Sequence, residues 1–200
     1  MIVKTTDSYK FDSQNSKLNP ITTIDGINYY ETAELEEGLI EVQNTKESLM
    51  QAVEEAKTQK IAELNKTCDA LIKQFKSSAT GEERIYDADI EDQLNITAIV
   101  MVGVDSYFRC SKDGINKENV SHSAEQMKQV FADGLKFKSQ VIGICGVLKA
   151  FVDSQTSVDT IKSINWGWFN TDTMSIADPN EPEHPPIEDP ANPANTDNQE

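Results

Sequence analysis

The chain has 200 residues and a formal net charge of −16, with 34 acidic and 18 basic side chains. That length allows one ordinary domain, or a small domain joined to a helical one, with a sizeable core. A strongly acidic chain repels nucleic-acid backbones, so we expect no DNA or RNA partner. No run approaches the ~20 apolar residues that span a bilayer, so we expect no membrane partner.

The cysteine count argues against disulfides and against a bound metal. Cys68, Cys110 and Cys145 are far apart in the chain and odd in number. A disulfide framework needs paired cysteines, and a zinc site needs closely spaced Cys or His ligands. We therefore expect three reduced thiols, no metal and no cofactor.

Residues 1–43 predict a small β-rich module. Residues 21–24 and 27–30 are rich in β-branched and aromatic side chains and flank Asp25-Gly26, the strongest local hairpin signal. The alternating segment Tyr9-Lys10-Phe11 predicts a further short strand. A two-stranded hairpin is only marginally stable alone, so this module should pack on the following helix or on a partner chain.

Residues 45–77 predict one long helix, within a connector of residues 44–80. One of its faces has the alternating spacing of three and four that defines a heptad seam. The seam is formed by Ile61, Leu64, Cys68, Leu71 and Phe75. It spans about two heptads, so self-association through it and docking on the chain's own core both stay open. We take Ile61, Leu64, Leu71 and Phe75 as candidate interface residues.

Residues 81–169 predict a helical core domain that carries a β-hairpin. Asp87 or Asp89 is expected to cap a helix that ends at Gly103. The acidic residues around this cap could suggest a calcium site, but their spacing lacks the glycine and the distal glutamate of a calcium loop. We therefore favour capping over a metal site. One face of this helix is apolar, and we expect the helix to be largely buried. That face comprises Ile90, Leu94, Ala98, Met101 and Val102.

Three further local signals follow in the same region. Lys112-Asp113-Gly114 predicts the turn of the hairpin. Ser123 with Gln126 predicts a capping box for a long apolar helix over about 124–154. The glycines within it predict a kink near Gly134 or close helix packing. Thr156 with Asp159 predicts the cap of a short last helix.

We find no pattern of a catalytic site. His122 and His184 are expected to be solvated and too far apart to share a site. Cys145, within Gly143-Ile144-Cys145-Gly146, lies in an apolar helix pattern, where a buried thiol is inert. We therefore predict that the chain is not an enzyme. Trp166, Trp168 and Phe169 either seal the end of the core or form an aromatic anchor for a partner, and they complete the candidate interface.

Residues 170–200 predict an acidic, proline-rich tail. Residues 171–200 hold eight carboxylates and no Lys or Arg, with few apolar side chains. Such a segment cannot bury enough surface to offset its ordering entropy, so we expect it to be disordered or extended.

The order of these motifs over about residues 58–166 is similar to an uncharacterised domain family found in bacteriophage tail-associated and tail-fibre-assembly-like proteins. The matching segments are Glu91-Asp92-Gln93-Leu94-Asn95-Ile96, Phe108-Arg109, Asp113-Gly114, Ser123-Ala124-Glu125-Gln126 and Ile161-Lys162-Ser163-Ile164. The resemblance brings no enzymatic residues. It implies a virion-tail component or assembly factor, with other tail or fibre proteins as partners and a possible homo-oligomer. Its expected location is the virion tail, or the host cytoplasm during assembly.

The sequence thus predicts an α+β protein, mostly α. It combines a small β-rich N-terminal module, a long helix, a helical domain with a β-hairpin insert and a disordered acidic tail. The first functional hypothesis is a bacteriophage structural or assembly protein that acts through protein contacts. The alternative is a cytosolic binding adaptor or inhibitor whose acidic tail engages basic host partners.

Overall fold

A computed structural model describes residues 1–6, 17–35, 38–170 and 175–176 of the chain. The N-terminal part is a four-stranded antiparallel sheet with the order β2-β3-β1-β4. The strands are β1 (Ile2–Thr5), β2 (Asn19–Ile24), β3 (Ile27–Glu31) and β4 (Ile40–Val42). The β-rich character predicted for residues 1–43 is confirmed in the described part of this segment. The strand expected at Tyr9-Lys10-Phe11 lies outside the described residues.

Within the described ranges four α-helices follow, and each is preceded by a residue whose side chain accepts a backbone N–H of the first turn. The caps are Thr45 for α1 (Lys46–Leu71), Asp89 for α2 (Ile90–Val102), Ser123 for α3 (Ala124–Ser154) and Ser157 for α4 (Val158–Ser163). The capping box of Ser123 with Gln126 is confirmed, as are the bounds predicted for α3. Gly103 ends α2 in the left-handed conformation, as predicted.

The predicted cap of α4 is wrong by one residue, and Asp159 has a different role. The Asp159 carboxylate accepts the backbone N–H groups of Asp25 at 2.8 Å and Gly26 at 2.7 Å. Both turn residues have positive φ, 50° and 75°, as the tight turn between β2 and β3 requires. Strand β2 also packs against α1 and α4, so the N-terminal sheet is supported by the chain itself.

The first helix ends earlier than predicted. Its last residue is Leu71, and Gln74–Ser77 forms a strand, β5, rather than the last turns of a helix. Phe75 and Ser77 are buried while Gln74 and Lys76 are exposed, which is the two-residue period of a strand. Residues such as Gln and Lys favour helices, and this composition concealed the alternation in a segment of four residues.

Strand β5 begins a second antiparallel sheet with the order β5-β6-β7-β8. The other strands are β6 (Arg84–Asp87), β7 (Ser106–Ser111) and β8 (Lys117–His122). The predicted hairpin is confirmed as β7 and β8, in register from Ser106 opposite His122 to Ser111 opposite Lys117. It is half of a four-stranded sheet, however, and not an insert in a helical domain. Strands β5 and β6 pair across the domain boundary predicted at 80/81.

Helices α2 and α3 contribute to the same core as this second sheet. The core side chains come from all of these elements except β8, and they are Phe75, Tyr86, Ile96, Phe108, Cys110, Met127 and Val130. Helix α1 packs against α3 and α4. The N-terminal sheet has a smaller core of its own, formed by Val3, Leu18, Tyr30 and Leu39.

The described residues up to Trp166 belong to one compact unit, and a second unit begins at Gly167. In the second unit, Phe169–Asn170 (β9) pairs antiparallel with Ser175–Ile176 (β10). The rest of the segment that we expect to be disordered lies outside the described residues. The chain is α+β, as predicted. Among the helices of the described ranges, none combines the length and apolar character needed to cross a bilayer.

Candidate interaction surface

The predicted interface residues of the first helix and Phe75 do not share one surface. Leu64 is only 1% exposed and Ile61 is half-buried, whereas Leu71 is 42% exposed. Phe75 lies in β5 and is buried in the core of the second sheet. A continuous seam therefore does not exist on α1, because the helix ends before Phe75.

The buried face of α1 is instead used within the chain. It consists of Leu49, Val53, Ala56, Lys60, Leu64 and Cys68. Cys68 packs with Val141 and Cys145 of α3, and the Lys149 ammonium donates to the Asn65 amide oxygen at 3.1 Å. Of the two alternatives left open for the seam, these contacts favour docking on the chain's own core.

The aromatic residues near residue 166 have separate surroundings. Trp166 is half-buried and packs against the same cluster of Cys68, Val141 and Cys145. Trp168, also half-buried, lies in the other compact unit. Phe169 begins β9, and its side chain is outside the described part of the structure. The packing of Trp166 agrees with a residue that seals the end of a core.

Helix α2 presents an apolar face to solvent, and the prediction that this helix is largely buried is wrong. Ile90 is 77% exposed, Leu94 65%, Met101 80% and Val102 71%. Ala98, on the same face, is also exposed. Ile96 is the one residue of α2 that is buried. We call Ile90, Leu94, Ala98, Met101 and Val102 the α2 face.

Helical geometry explains how both sides of α2 are apolar. At about 100° per residue, the five residues of the α2 face lie within an arc of roughly 120°. Ile96 points in the opposite direction, where Ile99 and Val100 also pack on the core of the second sheet. A helix with apolar residues all round needs a covering on both sides. In the described part of the chain, the α2 face has none.

The charges of α2 lie at one end of the helix. Glu91 and Asp92 are both in the first turn, and the helix contains no Lys or Arg. This position is favourable because carboxylates stabilise the positive end of a helix. The five residues of the α2 face are uncharged, but Glu91 of the first turn lies at about 100° from Ile90 and therefore on the same side of the helix.

An apolar pocket of about 240 Å³ runs along the flank of α2, between this helix and α3. Its apolar lining includes Ile72, Phe75, Ile96, Phe131, Leu135 and Phe137. Polar groups lie at its edge, where the Lys138 ammonium donates to the Gln93 amide oxygen at 3.2 Å. Gln93 and Thr97 separate this pocket from the α2 face, so the two features form neighbouring parts of one surface.

The floor of the pocket depends on a close approach at Gly134. A Cβ atom at this position would meet Cζ of the Phe75 ring at 2.9 Å. Glycine therefore allows α3 to pack directly on the ring. The sequence predicted either a kink near Gly134 or close packing. The structure shows close packing against the Phe75 side chain of β5, and α3 continues through Gly134 as one helix.

The most buried polar pair of the described chain is Tyr86 with His122, and the prediction that His122 is solvated is wrong. Both residues are 0% exposed, and the Tyr86 hydroxyl lies 2.8 Å from His122 Nε2. His122 Nδ1 lies 2.8 Å from the Val120 carbonyl oxygen, which can only accept. The neutral ring thus donates from Nδ1 and accepts the tyrosine proton at Nε2.

Burial changes the acid–base behaviour of this pair. It lowers the pKa of His122 below its ordinary value and raises the pKa of Tyr86 above its own. Because both side chains are sealed from solvent, the pair stabilises the core and has no path to a substrate in this conformation.

The acidic residues before α2 are used for capping and ion pairing. The Asp89 carboxylate accepts the backbone N–H of Asp92 at 2.9 Å, and Asp87 pairs with Lys117 of β8. Over the described ranges, no group of three or more His, Cys, Asp or Glu side chains is placed to hold a metal ion.

The three cysteines are buried and reduced. The fold brings Cys68 and Cys145 into one cluster although 77 positions separate them in the sequence. Burial, and then the neighbouring Cys145, raises the pKa of Cys68. A thiol group with a raised pKa is mostly protonated at neutral pH, and it is therefore a poor nucleophile.

The sequence did contain a signal for the α2 face. Residues 90–102 place apolar residues on more than one side of the helix, so a single core cannot cover all of them unless the helix is surrounded. In the structure, this helix of 13 residues packs on the core through the side that carries Ile96, Ile99 and Val100. The other side is exposed to solvent.

Comparison with known proteins identifies one family. A family model described as "Domain of unknown function (DUF4376)" matches residues 55–165. No curated protein and no solved structure matches the chain.

Proposed function

The chain belongs to the domain family of unknown function DUF4376, and we propose that it is a bacteriophage structural or assembly protein of the tail or tail fibres. In this role it is not an enzyme and acts through protein–protein contacts. The observation that carries the proposal is the exposed apolar α2 face, with Met101 80% and Ile90 77% exposed. Contiguous apolar patches on a protein surface mark sites of interaction.

The placement of the polar residues also supports a role in contacts. Tyr86 and His122 bond to each other inside the core, and Cys145 is buried. Asp87 and Asp89 serve an ion pair and a helix cap. Catalysis needs reactive groups that converge on a site which substrate can reach. A metal or cofactor that copurifies with the chain would contradict this part of the proposal.

The link to phage tails rests on the order of motifs along the sequence. The segments that resemble tail-associated proteins lie within about residues 58–166, and the matched family covers residues 55–165. Leu94 of the α2 face belongs to the segment Glu91-Asp92-Gln93-Leu94-Asn95-Ile96, and the rest of the face lies beside it. The proposed contact surface is therefore part of the same region.

Mass spectrometry of purified virions, together with pull-down of the tagged chain during assembly, tests the proposal. We expect the chain to be found with tail or fibre proteins. Absence from virions combined with no binding to fibre proteins would contradict it. Met101→Asp should weaken the association, while Ile115→Asp is a matched control because Ile115 is equally exposed, at 80%, in the turn between β7 and β8.

A cytosolic binding adaptor is the second candidate, and the charge of the tail favours it. Eight carboxylates without a Lys or Arg in residues 171–200 would attract a basic host protein. Deletion of residues 171–200 separates the two functions. An adaptor would lose its partner, whereas a tail component would still assemble.

A further inference from the structure

We infer that the apolar pocket between α2 and α3 binds a small amphiphilic carboxylate, a molecule with one short alkyl chain and one anionic head group. In the inferred complex, the alkyl chain lies against the Phe75 ring and the carboxylate accepts from the Lys138 ammonium at the edge of the pocket. This inference goes beyond the proposed function, because it concerns the pocket and not the α2 face. It also needs no protein other than the purified chain.

The floor of the pocket is fixed before a ligand arrives. Phe75 is 5% exposed, and its ring stacks on Tyr86 with the ring centroids 5.5 Å apart. Gly134 packs on the same ring, since a Cβ atom at position 134 would meet Phe75 Cζ at 2.9 Å. The ring therefore has little freedom to move, and a preformed site binds a small molecule without the cost of ordering its side chains.

The walls of the pocket present apolar side chains that the core leaves partly in water. Ile72, Phe131 and Phe137 are half-buried, and Leu135 is 52% exposed. An alkyl chain laid against them removes apolar surface of both molecules from water, which is favourable. The lining thus favours a hydrocarbon group over a sugar or a nucleotide.

The volume limits the length of that hydrocarbon group. An engineered cavity of roughly 150 Å³ lined by Leu, Ile and Phe holds one benzene, which corresponds to about 25 Å³ per carbon atom. On that scale, a pocket of about 240 Å³ holds about nine or ten carbon atoms. A carboxylate of eight to ten carbons therefore fits, at about that limit, whereas a long-chain lipid does not.

The charge of the lining selects the head group. Lys138 is the one charged side chain among the residues that line the pocket, and its ammonium donates to the neutral amide oxygen of Gln93. None of the ion pairs within the described ranges includes Lys138. An ammonium has three N–H donors, so Lys138 has donors left for a carboxylate beside the bond to Gln93.

Gln93 keeps this ammonium at the rim. Its amide N–H donates to the Ala88 carbonyl oxygen at 2.6 Å, while its amide oxygen accepts from Lys138 at 3.2 Å. Gln93 is itself exposed to solvent. A carboxylate bound here stays partly in water while its alkyl chain is covered, which avoids the high cost of burying a charge completely.

The first test measures how affinity depends on chain length. Amide NMR shifts of the ¹⁵N-labelled full-length chain are followed during titration with sodium butanoate, hexanoate, octanoate, decanoate and dodecanoate. We expect the dissociation constant to fall by about four-fold for each added methylene. The fall should stop at about ten carbons, where the pocket is full.

Two results of this titration would overturn the inference. One is the absence of shift changes with millimolar decanoate. The other is a dissociation constant that keeps falling by the same factor up to dodecanoate, because an open apolar surface such as the α2 face sets no limit on chain length.

The second test examines the head group. Lys138→Met keeps an apolar stem but removes the ammonium, and it should weaken octanoate binding by about ten-fold. Lys136→Met is the matched control, because Lys136 is exposed on the same helix and does not line the pocket. The parent chain should also bind octanoate more tightly than 1-octanol, and Lys138→Met should lose this preference. Equal affinity of the parent and Lys138→Met for octanoate would contradict the inferred head-group contact.

The third test fills the pocket with a larger side chain. Thr97 is half-buried and lines the pocket, so Thr97→Phe should occupy part of its volume and weaken octanoate binding by about ten-fold or more. Asn95→Phe adds the same ring at an exposed position of α2 outside the lining, and it should leave the dissociation constant unchanged. Circular dichroism checks that both variants are folded. Unchanged binding in folded Thr97→Phe would place the ligand elsewhere and overturn the inference.

Discussion

At the scale of single residues, Gly134 shows how one missing side chain shapes the surface near α2. Its Cα lies over the Phe75 ring, which is itself 5% exposed and held between α3 and β6. The ring centroids of Phe75 and Tyr86 are 5.5 Å apart, so Phe75 has little room to move. Gly143 and Gly146, on the same helix, have open space within 4 Å of the point that a Cβ atom would occupy.

Gly134→Ala should destabilise the protein, whereas Gly143→Ala should stabilise it. Alanine favours a helix by about 1 kcal/mol over glycine. At position 134 the clash with Phe75 should exceed that gain and reduce the free energy of unfolding by about 1–3 kcal/mol. Urea denaturation of both variants measures the difference. An equal gain for both would show that the Phe75 ring can move aside.

His122 should make the stability depend on pH. Burial lowers its pKa below the ordinary 6.5, so the unfolded chain binds a proton at a higher pH than the folded chain. Its contribution to stability is complete above pH 6.5 and declines as the pH falls below that value, towards the folded pKa. The slope contributed by this one group cannot exceed about 1.4 kcal/mol per pH unit.

The free energy of unfolding between about pH 5 and pH 8 tests this behaviour. His122→Gln removes the titrating group, and the decline below about pH 6.5 should become shallower, although the variant is less stable overall. If the slope is the same in both proteins, His122 is not the group responsible.

At the scale of secondary-structure elements, helix α1 supports the fold and does not expose a seam. Leu64 is buried against α3, where the Cys145 thiol approaches the Leu64 carbonyl oxygen at 3.9 Å. Leu71, the last residue of the helix, is 42% exposed. Leu64 and Leu71 occupy the same position of the predicted heptad, but Leu64 is buried and Leu71 is partly exposed.

Leu64→Ala should cost about 2–5 kcal/mol of stability, because it leaves a cavity between packed helices. Leu71→Ala should cost less than about 1 kcal/mol, because its side chain is already partly in water. Thermal or urea denaturation measures both, and light scattering should find the same mass for each variant as for the parent. A loss of oligomer in Leu64→Ala without a loss of stability would return the interface to the seam.

Several elements are predictable because their signals are local. The capping box at Ser123, the Asp25-Gly26 turn and the glycine end of α2 each depend on atoms within about four residues. Strand β5 was missed for the opposite reason. Its four residues acquire their strand conformation from pairing with β6, and residues 78–83 intervene between the two.

At the scale of the whole molecule, the net charge and the apolar α2 face oppose each other. A chain of charge −16 repels another acidic protein at long range, while the face contributes attraction only at contact. Salt screens the repulsion, with a Debye length of about 10 Å at 0.1 M, and leaves apolar contacts intact.

Contact of another acidic protein with the α2 face should therefore strengthen as the salt concentration rises. Sedimentation of the chain with such a partner in low and high sodium chloride measures the dissociation constant, with Leu94→Asp as the variant that should stay weakly associated. An interface formed by ion pairs would respond in the opposite direction, with weaker association in high salt.

The sequence by itself determined the capping box at Ser123, the two hairpin turns, the bounds of α3 and the mixed α and β character of the chain. It also located the apolar residues of α2. Only the tertiary structure decided which of these residues are covered. It buried Leu64 of α1, placed Phe75 in the core of the second sheet, joined Tyr86 to His122, and left Leu94 and Met101 in solvent. The physical reason is range: caps and turns are satisfied by neighbouring backbone groups, whereas burial depends on which distant elements pack on each side of a helix.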